Sequence, residues 1–242
     1  MLFPLAHSPF PCRLPSLLPV TRHLSPAVSA VVFDFDGTLA ETNIDFDGIR
    51  ASLRGLFIRW GVWDGALAQR YILEIVDAVC APLEAAEAAA LRAAAMAIVR
   101  QAELEACRNA RLYLGTTESL QTLSQRGYRL GIFTRNAREC CELVLRRHPL
   151  PYSVLVARED VVNVKPHPEH LVATLARLDS PPGRALVVGD HYTDVETARA
   201  AGAWAVGVLT TTGTRERFLE AGALAVLDSV ADLPQFLPEH PA

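Results

Sequence analysis

Short apolar segments alternate with helical segments along the second half of the chain, and this alternation limits the fold more than any other feature. The predicted strands are residues 129–133, 153–157, 185–188, 204–209 and 224–227. The predicted helices are residues 116–125, 137–147, 169–178, about 194–202 and 215–220. Strands that alternate with helices form a parallel sheet covered on both faces. We therefore predict an α/β fold with a Rossmann-like open parallel sheet as its core.

Another strand is predicted earlier in the chain, and it leads into two carboxylates. The apolar run that begins at Val31 stops at Asp34 and Asp36, and Gly37 follows at once. Residues i and i+2 of a strand share a face, but a turn at the glycine lets the second carboxylate leave that face. Two carboxylates at a buried strand end are costly unless a metal ion or a reaction compensates for them. The pair therefore indicates a metal site or a catalytic site.

A long stretch with helical periodicity separates this strand from the alternating region. Apolar residues recur at three- and four-residue spacing over 49–57, and residues 81–110 are rich in alanine. Three or four helices are more than one strand-to-strand crossover needs. We therefore predict an α-helical cap at 45–108, inserted into a core formed by 30–44 and 109–242.

Residues 1–29 differ from the rest of the chain. They contain six prolines, no acidic residue and no sustained hydrophobic period. Proline at this density opposes helix formation, so we expect a disordered extension. A targeting segment and a misassigned start are the alternatives that the sequence leaves open.

Composition excludes several classes of partner. The net charge is −4 among 242 residues, so no basic surface is expected for nucleic acid or an anionic membrane. No apolar stretch approaches the roughly 18 residues of a membrane helix. The five cysteines show no CxxC spacing, which favours reduced thiols over a zinc site or a disulfide framework. We expect a cytoplasmic protein.

Polar side chains that could bind a ligand or take part in a reaction follow three of the predicted strands. Asp34, Thr134 and Asp190 each stand at or just beyond a strand end, and Lys165 lies in the loop after the next strand. Ligands of open parallel sheets bind at the carboxyl ends of the strands. Carboxylates suit Mg²⁺, whereas a hydroxyl and an ammonium suit a phosphate. The residues together predict a magnesium-phosphate site.

Four short motifs make the chain resemble a known family. They are residues 34–38 (DFDGT), 131–134 (GIFT), 165–169 (KPHPE) and 189–194 (GDHYTD). In this order they are similar to the motifs of the haloacid dehalogenase-like superfamily, phosphatase branch, and of phosphoglycolate phosphatases in particular. A single motif is weak, but four in order over about residues 30 to 230 are specific. A helical cap between the first two motifs also matches the family.

The resemblance implies a Mg²⁺-dependent phosphatase that hydrolyses a small phosphorylated metabolite through an aspartyl-phosphate. Asp34 would be the nucleophile, and Asp36 would act as general acid and then as general base. Dehalogenases of the superfamily lack a carboxylate at the second position, so Asp36 favours phosphoryl transfer. Thr134 and Lys165 would hold the phosphoryl oxygens.

The same resemblance implies the metal ligands. The Asp34 carboxylate, the Asp36 backbone carbonyl and Asp190 would bind Mg²⁺, with Asp194 in support. Asp194 has an alternative interpretation as a helix cap.

Substrate contacts are expected from the second motif and from the cap. Arg135 and Asn136 follow Thr134, and Asn136 is also the preferred N-cap of the next helix. The cap would close over the site and choose the substrate. Its candidate lining residues are Arg50, Arg54, Arg59, Trp60, Trp63 and Tyr71. Arg50 is the preferred contact for a substrate anion.

Several alternatives remain open at this stage. A phosphomutase of the β-phosphoglucomutase kind shares both acids of the first motif. A non-catalytic phosphate-binding protein on the same fold is the rival from another class. Either a monomer or a homodimer is expected. His167, His170 and His191 have no recognised ligand spacing and are interpreted as surface or loop residues.

Overall fold

The structure is a computed structural model, and it describes residues 28–65 and 71–239. The predicted extension at 1–29 therefore lies almost entirely outside the described residues. Across the described residues there are eight strands: β1 (Ala30–Phe33), β2 (Ala40–Glu41), β3 (Arg111–Leu112), β4 (Arg129–Phe133), β5 (Val154–Val156), β6 (Ala185–Gly189), β7 (Trp204–Val208) and β8 (Ala225–Leu227). The helices are α1 (Phe46–Arg59), α2 (Ile72–Cys80), α3 (Ala85–Cys107), α4 (Thr116–Gln125), α5 (Arg138–Arg147), α6 (Glu169–Arg177), α7 (Tyr192–Ala201), α8 (Arg215–Ala221) and α9 (Leu233–Phe236).

Six of the strands form one parallel sheet in the order β5-β4-β1-β6-β7-β8. The order places β1 at the centre, between β4 and β6. Each residue of β1 is fully buried, because helices cover both faces of the sheet. Val31 and Phe33 belong to the apolar cluster on one face, and Ala30 and Val32 belong to the cluster on the other. The predicted Rossmann-like α/β fold is confirmed.

The bounds of the predicted elements lie within one or two residues of those observed, and β5 and α7 are examples of the differences. Strand β5 is shorter at both ends than the predicted 153–157. Helix α7 begins at Tyr192 rather than near Asp194, because the imidazole of His191 accepts the backbone amide of Thr193 and caps the helix two residues earlier.

Among the described residues of the interval 45–108 there are three helices, where three or four were predicted. Helices α1, α2 and α3 pack on one another around their own apolar cluster, which includes Leu53, Phe57, Val76 and Leu91. The antiparallel pair β2–β3 joins the places where the chain leaves the sheet and returns to it. In the parts of the chain that are described, no helix combines the length and the apolar character needed to cross a bilayer.

Candidate active site

The sheet order brings three of the predicted residues to one edge. Asp34 follows β1, Thr134 follows β4 and Asp190 follows β6, and these three strands are neighbours. Parallel strands point their carboxyl ends the same way, so the residues after them meet. The chain leaves β1 through a turn in which Gly37 has φ of +80°. This conformation is accessible to glycine without strain.

Three carboxylates and one ammonium form the centre of the site. Oxygen atoms of Asp34, Asp190 and Asp194 lie within 4.8 Å of one another. The Nζ atom of Lys165 lies 2.6 Å from Oδ1 of Asp34 and 2.7 Å from Oδ1 of Asp194. Lys165 is 2% exposed, so its charge depends on these two carboxylates for compensation.

The pKa values of the cluster reflect burial and an excess of negative charge. Burial raises the pKa of Asp34 to about 6, against the lowering effect of the Lys165 ammonium. Burial and the neighbouring Asp34 raise the pKa of Asp190 to about 6. Burial alone would lower the pKa of Lys165, but Asp194 and Asp34 outweigh it and raise that pKa. The lysine is therefore charged.

This donor set fits a hard divalent cation. Three carboxylates and one ammonium leave two negative charges in a buried cluster. Carboxylate oxygens are the ligands that Mg²⁺ prefers, and a divalent ion would neutralise the remaining charge. Asp34, Asp190 and Asp194 are the residues able to hold it.

Two glycines allow the carboxylates to approach the backbone. A Cβ atom at Gly37 would lie 2.3 Å from Oδ2 of Asp190, and one at Gly189 would lie 2.1 Å from Oδ2 of Asp194. Real Cβ atoms do not approach an oxygen so closely. The cluster therefore requires glycine at both positions.

Asp36 lies apart from the three clustered acids. Its Oδ1 atom accepts a hydrogen bond from the hydroxyl of Thr42, which lies between β2 and α1. Burial raises the pKa of Asp36 to about 6. A carboxyl group with this pKa can exchange a proton near neutral pH.

Two threonines that the sequence analysis did not assign hold Asp190 in place. The hydroxyl of Thr38 donates to Oδ1 of Asp190 at 3.0 Å, and that of Thr211 donates to Oδ2 at 2.6 Å. Thr38 belongs to the first motif and could have been found there. Thr211 lies in a loop after β7, and no sequence pattern marks it.

His170 is a correction to the sequence interpretation. It was expected at the surface or in a loop, but it lies in α6 and is fully buried. Its Nδ1 accepts the backbone amide of Lys165 at 3.3 Å, and its Nε2 lies 3.1 Å from the carbonyl of Val156. Burial lowers the pKa of His170 to about 4, so the ring is neutral and supports the lysine loop.

Asn136 also differs from its expected role. The N-cap of α5 is Ala137, and the backbone amide of Ala137 is accepted by Glu103 at 3.2 Å. The Nδ2 group of Asn136 is buried and has no hydrogen-bond partner among the described residues. Thr134 instead accepts the backbone amide of Asn136 at 3.1 Å. The side-chain amide remains available to a ligand.

A cavity of about 690 Å³ opens above these groups, between the sheet and helices α1 to α3. Of the sequence-predicted site residues, it is lined by Asp34, Asp36, Arg50, Thr134, Arg135, Asn136, Lys165 and Asp190. Tyr71 lines it as well. Arg54, Arg59, Trp60 and Trp63 do not; the first three are exposed, and the Trp63 ring stacks on Phe57 instead.

A buried ion pair at the cavity wall was missed by the sequence analysis. Glu103 of α3 lies 2.5 Å from Arg158, and both side chains are under 10% exposed. Arg158 also donates to the carbonyl of Arg135 at 3.2 Å. The two partners are 55 residues apart. Such a pairing carries no local sequence signal.

Comparison with known proteins identifies the family. A family model for haloacid dehalogenase-like hydrolases matches residues 31–208, more than half of the chain. The pyrophosphatase PpaX of Bacillus mycoides (strain KBAB4) is 40% identical over 119 residues, which are 48% of this chain and 55% of that protein. The chain thus spans about half the length of the curated relatives that it matches.

Solved structures show the same fold over most of the chain. CbbY from Rhodobacter sphaeroides, in complex with phosphate, has a TM-score of 0.59 and 26% identity, covering 85% of this chain and 96% of that one. A predicted phosphoglycolate phosphatase from Haemophilus somnus 129pt has a TM-score of 0.61 and 19% identity, covering 88% and 98%. The motifs, the sheet topology and the family match agree, and the chain belongs to the haloacid dehalogenase-like hydrolase family.

Proposed function

We propose that this protein is a Mg²⁺-dependent phosphomonoesterase that hydrolyses a small phosphorylated metabolite through an aspartyl-phosphate intermediate. The observation that carries the proposal is the position of Asp34, 2.6 Å from Lys165 and beside two further acids at the cavity. An anionic nucleophile can attack an anionic phosphate only where positive charge offsets the repulsion. This cluster provides that arrangement.

Asp34 is the proposed nucleophile. Its carboxylate oxygen would form a bond to phosphorus as the bond from phosphorus to the ester oxygen breaks. Its Oδ1 atom accepts the backbone amide of Phe35 at 2.7 Å and the Lys165 ammonium at 2.6 Å, and these contacts fix the carboxylate. A fixed nucleophile loses little entropy on reaching the reactive geometry.

The proposed metal ligands are the carboxylates of Asp34 and Asp190 and the backbone carbonyl of Asp36, with Asp194 in support. When bound, Mg²⁺ supplies positive charge that offsets the phosphate and the nucleophile. Asp194 also contacts Lys165 and accepts the backbone amide of His191, so it joins the metal ligands to the lysine.

Asp36 is the proposed acid and base. In the first step it would donate its proton to the departing alkoxide, and in the second it would take a proton from the attacking water. Its pKa of about 6 suits both steps near neutral pH. The hydrogen bond from Thr42 directs its carboxyl group away from the metal cluster.

Phosphoryl oxygens would be bound by Thr134 and Lys165, and Asn136 has an unpaired amide that fits the same role. Arg135 and Arg50 line the cavity and are proposed to contact the leaving group. We also propose that residues 45–108 act as a cap unit over the core formed by 30–44 and 109–242, and that this unit selects the substrate.

The direct test is phosphate release from p-nitrophenyl phosphate by the wild-type protein and by Asp34→Asn. The wild type should release phosphate with Mg²⁺, lose activity in EDTA and regain it when Mg²⁺ is restored. Asp34→Asn should be inactive. Wild-type rates in the variant would exclude Asp34 as the nucleophile, and insensitivity to EDTA would exclude the metal.

The substrate requires a screen of phosphorylated metabolites with phosphate release as the readout. Inorganic pyrophosphate belongs in the first panel because the curated relatives are pyrophosphatases. A phosphomutase would instead return the phosphoryl group to a sugar phosphate, and a non-catalytic binding protein would release no phosphate.

The four described cysteines are free and buried, which supports the proposed cytoplasmic location. Either a monomer or a homodimer is compatible with the proposal.

A further inference from the structure

Two tyrosines, one preceding a cap helix and one in the core, meet at the rim of the cavity. The hydroxyl of Tyr71, the N-cap residue of α2, hydrogen-bonds the hydroxyl of Tyr192, the first residue of α7. The Tyr71 hydroxyl also lies 3.5 Å from Nε2 of His191. The His191 ring packs 5.7 Å from the ring of Tyr71 and 4.0 Å from that of Tyr192, centroid to centroid.

A cation lies against each tyrosine. The guanidinium of Arg135 is 5.1 Å from the Tyr71 ring centroid, and that of Arg217 is 4.7 Å from the Tyr192 ring centroid. Arg135 is also paired with Glu74 of α2 at 3.3 Å. Glu74 in turn accepts the backbone amide of Tyr71 at 2.9 Å. These contacts bind the beginning of α2 to the core from two sides.

The other side of the cap is attached differently. Helix α3 is fixed to the core by the buried ion pair of Glu103 and Arg158. Glu103 also accepts a hydrogen bond from the backbone amide of Ala137. Among the described residues, α2 and its N-cap make polar contacts with the core through Tyr71 and Glu74. Hydrogen bonds at half-buried rims and cation–π contacts are individually weak, so few and weak polar contacts attach this side of the helices to the core.

We propose that Tyr71 and Tyr192 are positioning residues for the reaction, a clasp that fastens α2 to the core while substrate is bound. The clasp touches Arg135 and His191, the immediate neighbours of Thr134 and Asp190 in the sequence. Fastening α2 therefore also holds Arg135, the proposed contact of the leaving group, where it lines the cavity. The kinetic consequence rests on the proposed phosphatase function, whereas the attachment of α2 does not.

The kinetic test uses Tyr71→Phe, Tyr192→Phe and the double variant. Each change keeps the ring and its contacts with arginine and removes one hydroxyl of the pair. A clasp holds the bound substrate and its transition state alike, so KM should rise roughly three- to ten-fold while kcat changes less than about two-fold. The double variant should lose no more than Tyr71→Phe alone, because both single changes remove the same hydrogen bond between the tyrosines.

The matched control is Tyr152→Phe. Tyr152 precedes β5 and so lies near the amino end of that strand, whereas the site lies at the carboxyl ends of the strands. Its KM and kcat should equal those of the wild type. An unchanged KM in Tyr71→Phe, or losses that add in the double variant, would overturn the proposal.

Amide hydrogen exchange tests the attachment without relying on turnover. Amides of α2 should exchange faster in Tyr71→Phe than in wild type, and those of α5 should not. Exchange of α2 that is unchanged by the substitution would overturn the clasp even in an active enzyme. Faster exchange of α2 in a protein that releases no phosphate would support the clasp and refute the phosphatase instead.

Discussion

The charge balance around one side chain defines the chemistry at the scale of single residues. Lys165 is the only lysine of the chain, in which every other basic side chain apart from histidine is arginine. A compact ammonium can sit between Asp34 and Asp194 at 2.6 and 2.7 Å, whereas a planar guanidinium needs a wider site. The lysine therefore leaves room beside it for the proposed phosphate and metal ion.

Removing this charge should disable catalysis. Lys165→Met should lower kcat/KM by about 10²-fold or more, by analogy with the loss of one preorganised donor to a transition-state oxygen. Lys165→Arg should not restore the rate. Exposed Arg146 of α5 provides the control, and Arg146→Met should match the wild type in steady-state assays. An effect of Lys165→Met below about two-fold would remove Lys165 from the site.

Because the chain has a single lysine, labelling lysine with ¹⁵N at Nζ gives one side-chain signal. Asp194 and Asp34 raise the pKa of Lys165 above its ordinary 10.5. The signal should therefore remain that of a charged ammonium to a higher pH than in a free lysine. Deprotonation below the ordinary value would contradict the ion pairs.

At the scale of elements, the turn that follows β1 and the attachment of α3 hold the site together. The turn must place Gly37 against Asp190, and α3 must keep Glu103 against Arg158. Both contacts are buried and join distant parts of the chain. For each contact, substitution of one of its residues should damage the site even though that residue does not contact the substrate.

Gly37→Ala should be destabilising and inactivating. Its φ of +80° is unfavourable for alanine, and the new Cβ would lie 2.3 Å from Asp190. We expect a loss of about 1–3 kcal/mol in the free energy of unfolding. Gly183→Ala is the matched control, since a Cβ atom there meets nothing within 4 Å. Urea unfolding and phosphate release measure both; an active, fully stable Gly37→Ala would refute this account of the turn.

Glu103→Gln should destabilise the protein by about 3 kcal/mol, because it leaves the buried guanidinium of Arg158 with only the half-exposed Glu159, 3.5 Å away, as a counter-ion among the described residues. Arg100 and Glu139 form another ion pair of α3, with α5, at the surface, where their side chains are about half exposed. Arg100→Gln should therefore cost less than about 1 kcal/mol. Equal shifts of the urea midpoint in the two variants would show that the buried pair has no special role.

For the whole molecule, the excess of buried acid links stability to pH and to magnesium. Asp34, Asp36 and Asp190 have pKa values of about 6 in the folded protein, against an ordinary 3.8. The folded state therefore binds more protons than the unfolded state between these values. The resulting stabilisation is present below pH 3.8 and is lost as the pH rises through about 6.

Magnesium should replace those protons. We expect saturating Mg²⁺ to raise the melting temperature more at a pH of about 7.5 than at about 5, where protons compete for the carboxylates. Asp190→Asn should reduce the increase at the higher pH. Thermal unfolding with and without Mg²⁺ measures it, and equal increases at both pH values would contradict the linkage.

The sequence predicted the sheet and the proximity of the candidate site residues because both depend on local patterns. Val31 to Phe33 form a buried apolar run, and the acids and the threonine at strand ends meet wherever parallel strands do. The attachment of the cap was not predictable in this way. Glu103 and Arg158, or Tyr71 and Tyr192, meet only through the packing of distant segments, and neither pair lies at a recognisable spacing.

Errors in the sequence analysis have the same origin. His170 resembled a surface residue because its polarity is visible in the sequence, whereas its partners, the Lys165 amide and the Val156 carbonyl, are not. Asn136 resembled a helix N-cap because it precedes α5. The backbone amide of Ala137 instead donates a hydrogen bond to Glu103 of α3. The two-residue strands β2 and β3 are too short to give a periodic signal.

The central claim is that Asp34 carries the phosphoryl group during turnover. Asp36→Asn should allow p-nitrophenyl phosphate to react, since its leaving group needs no proton, but should slow hydrolysis of the intermediate. Acid quenching followed by peptide mass spectrometry should then find one phosphoryl group on Asp34. A phosphoryl group on another residue, or none during active turnover, would contradict the account.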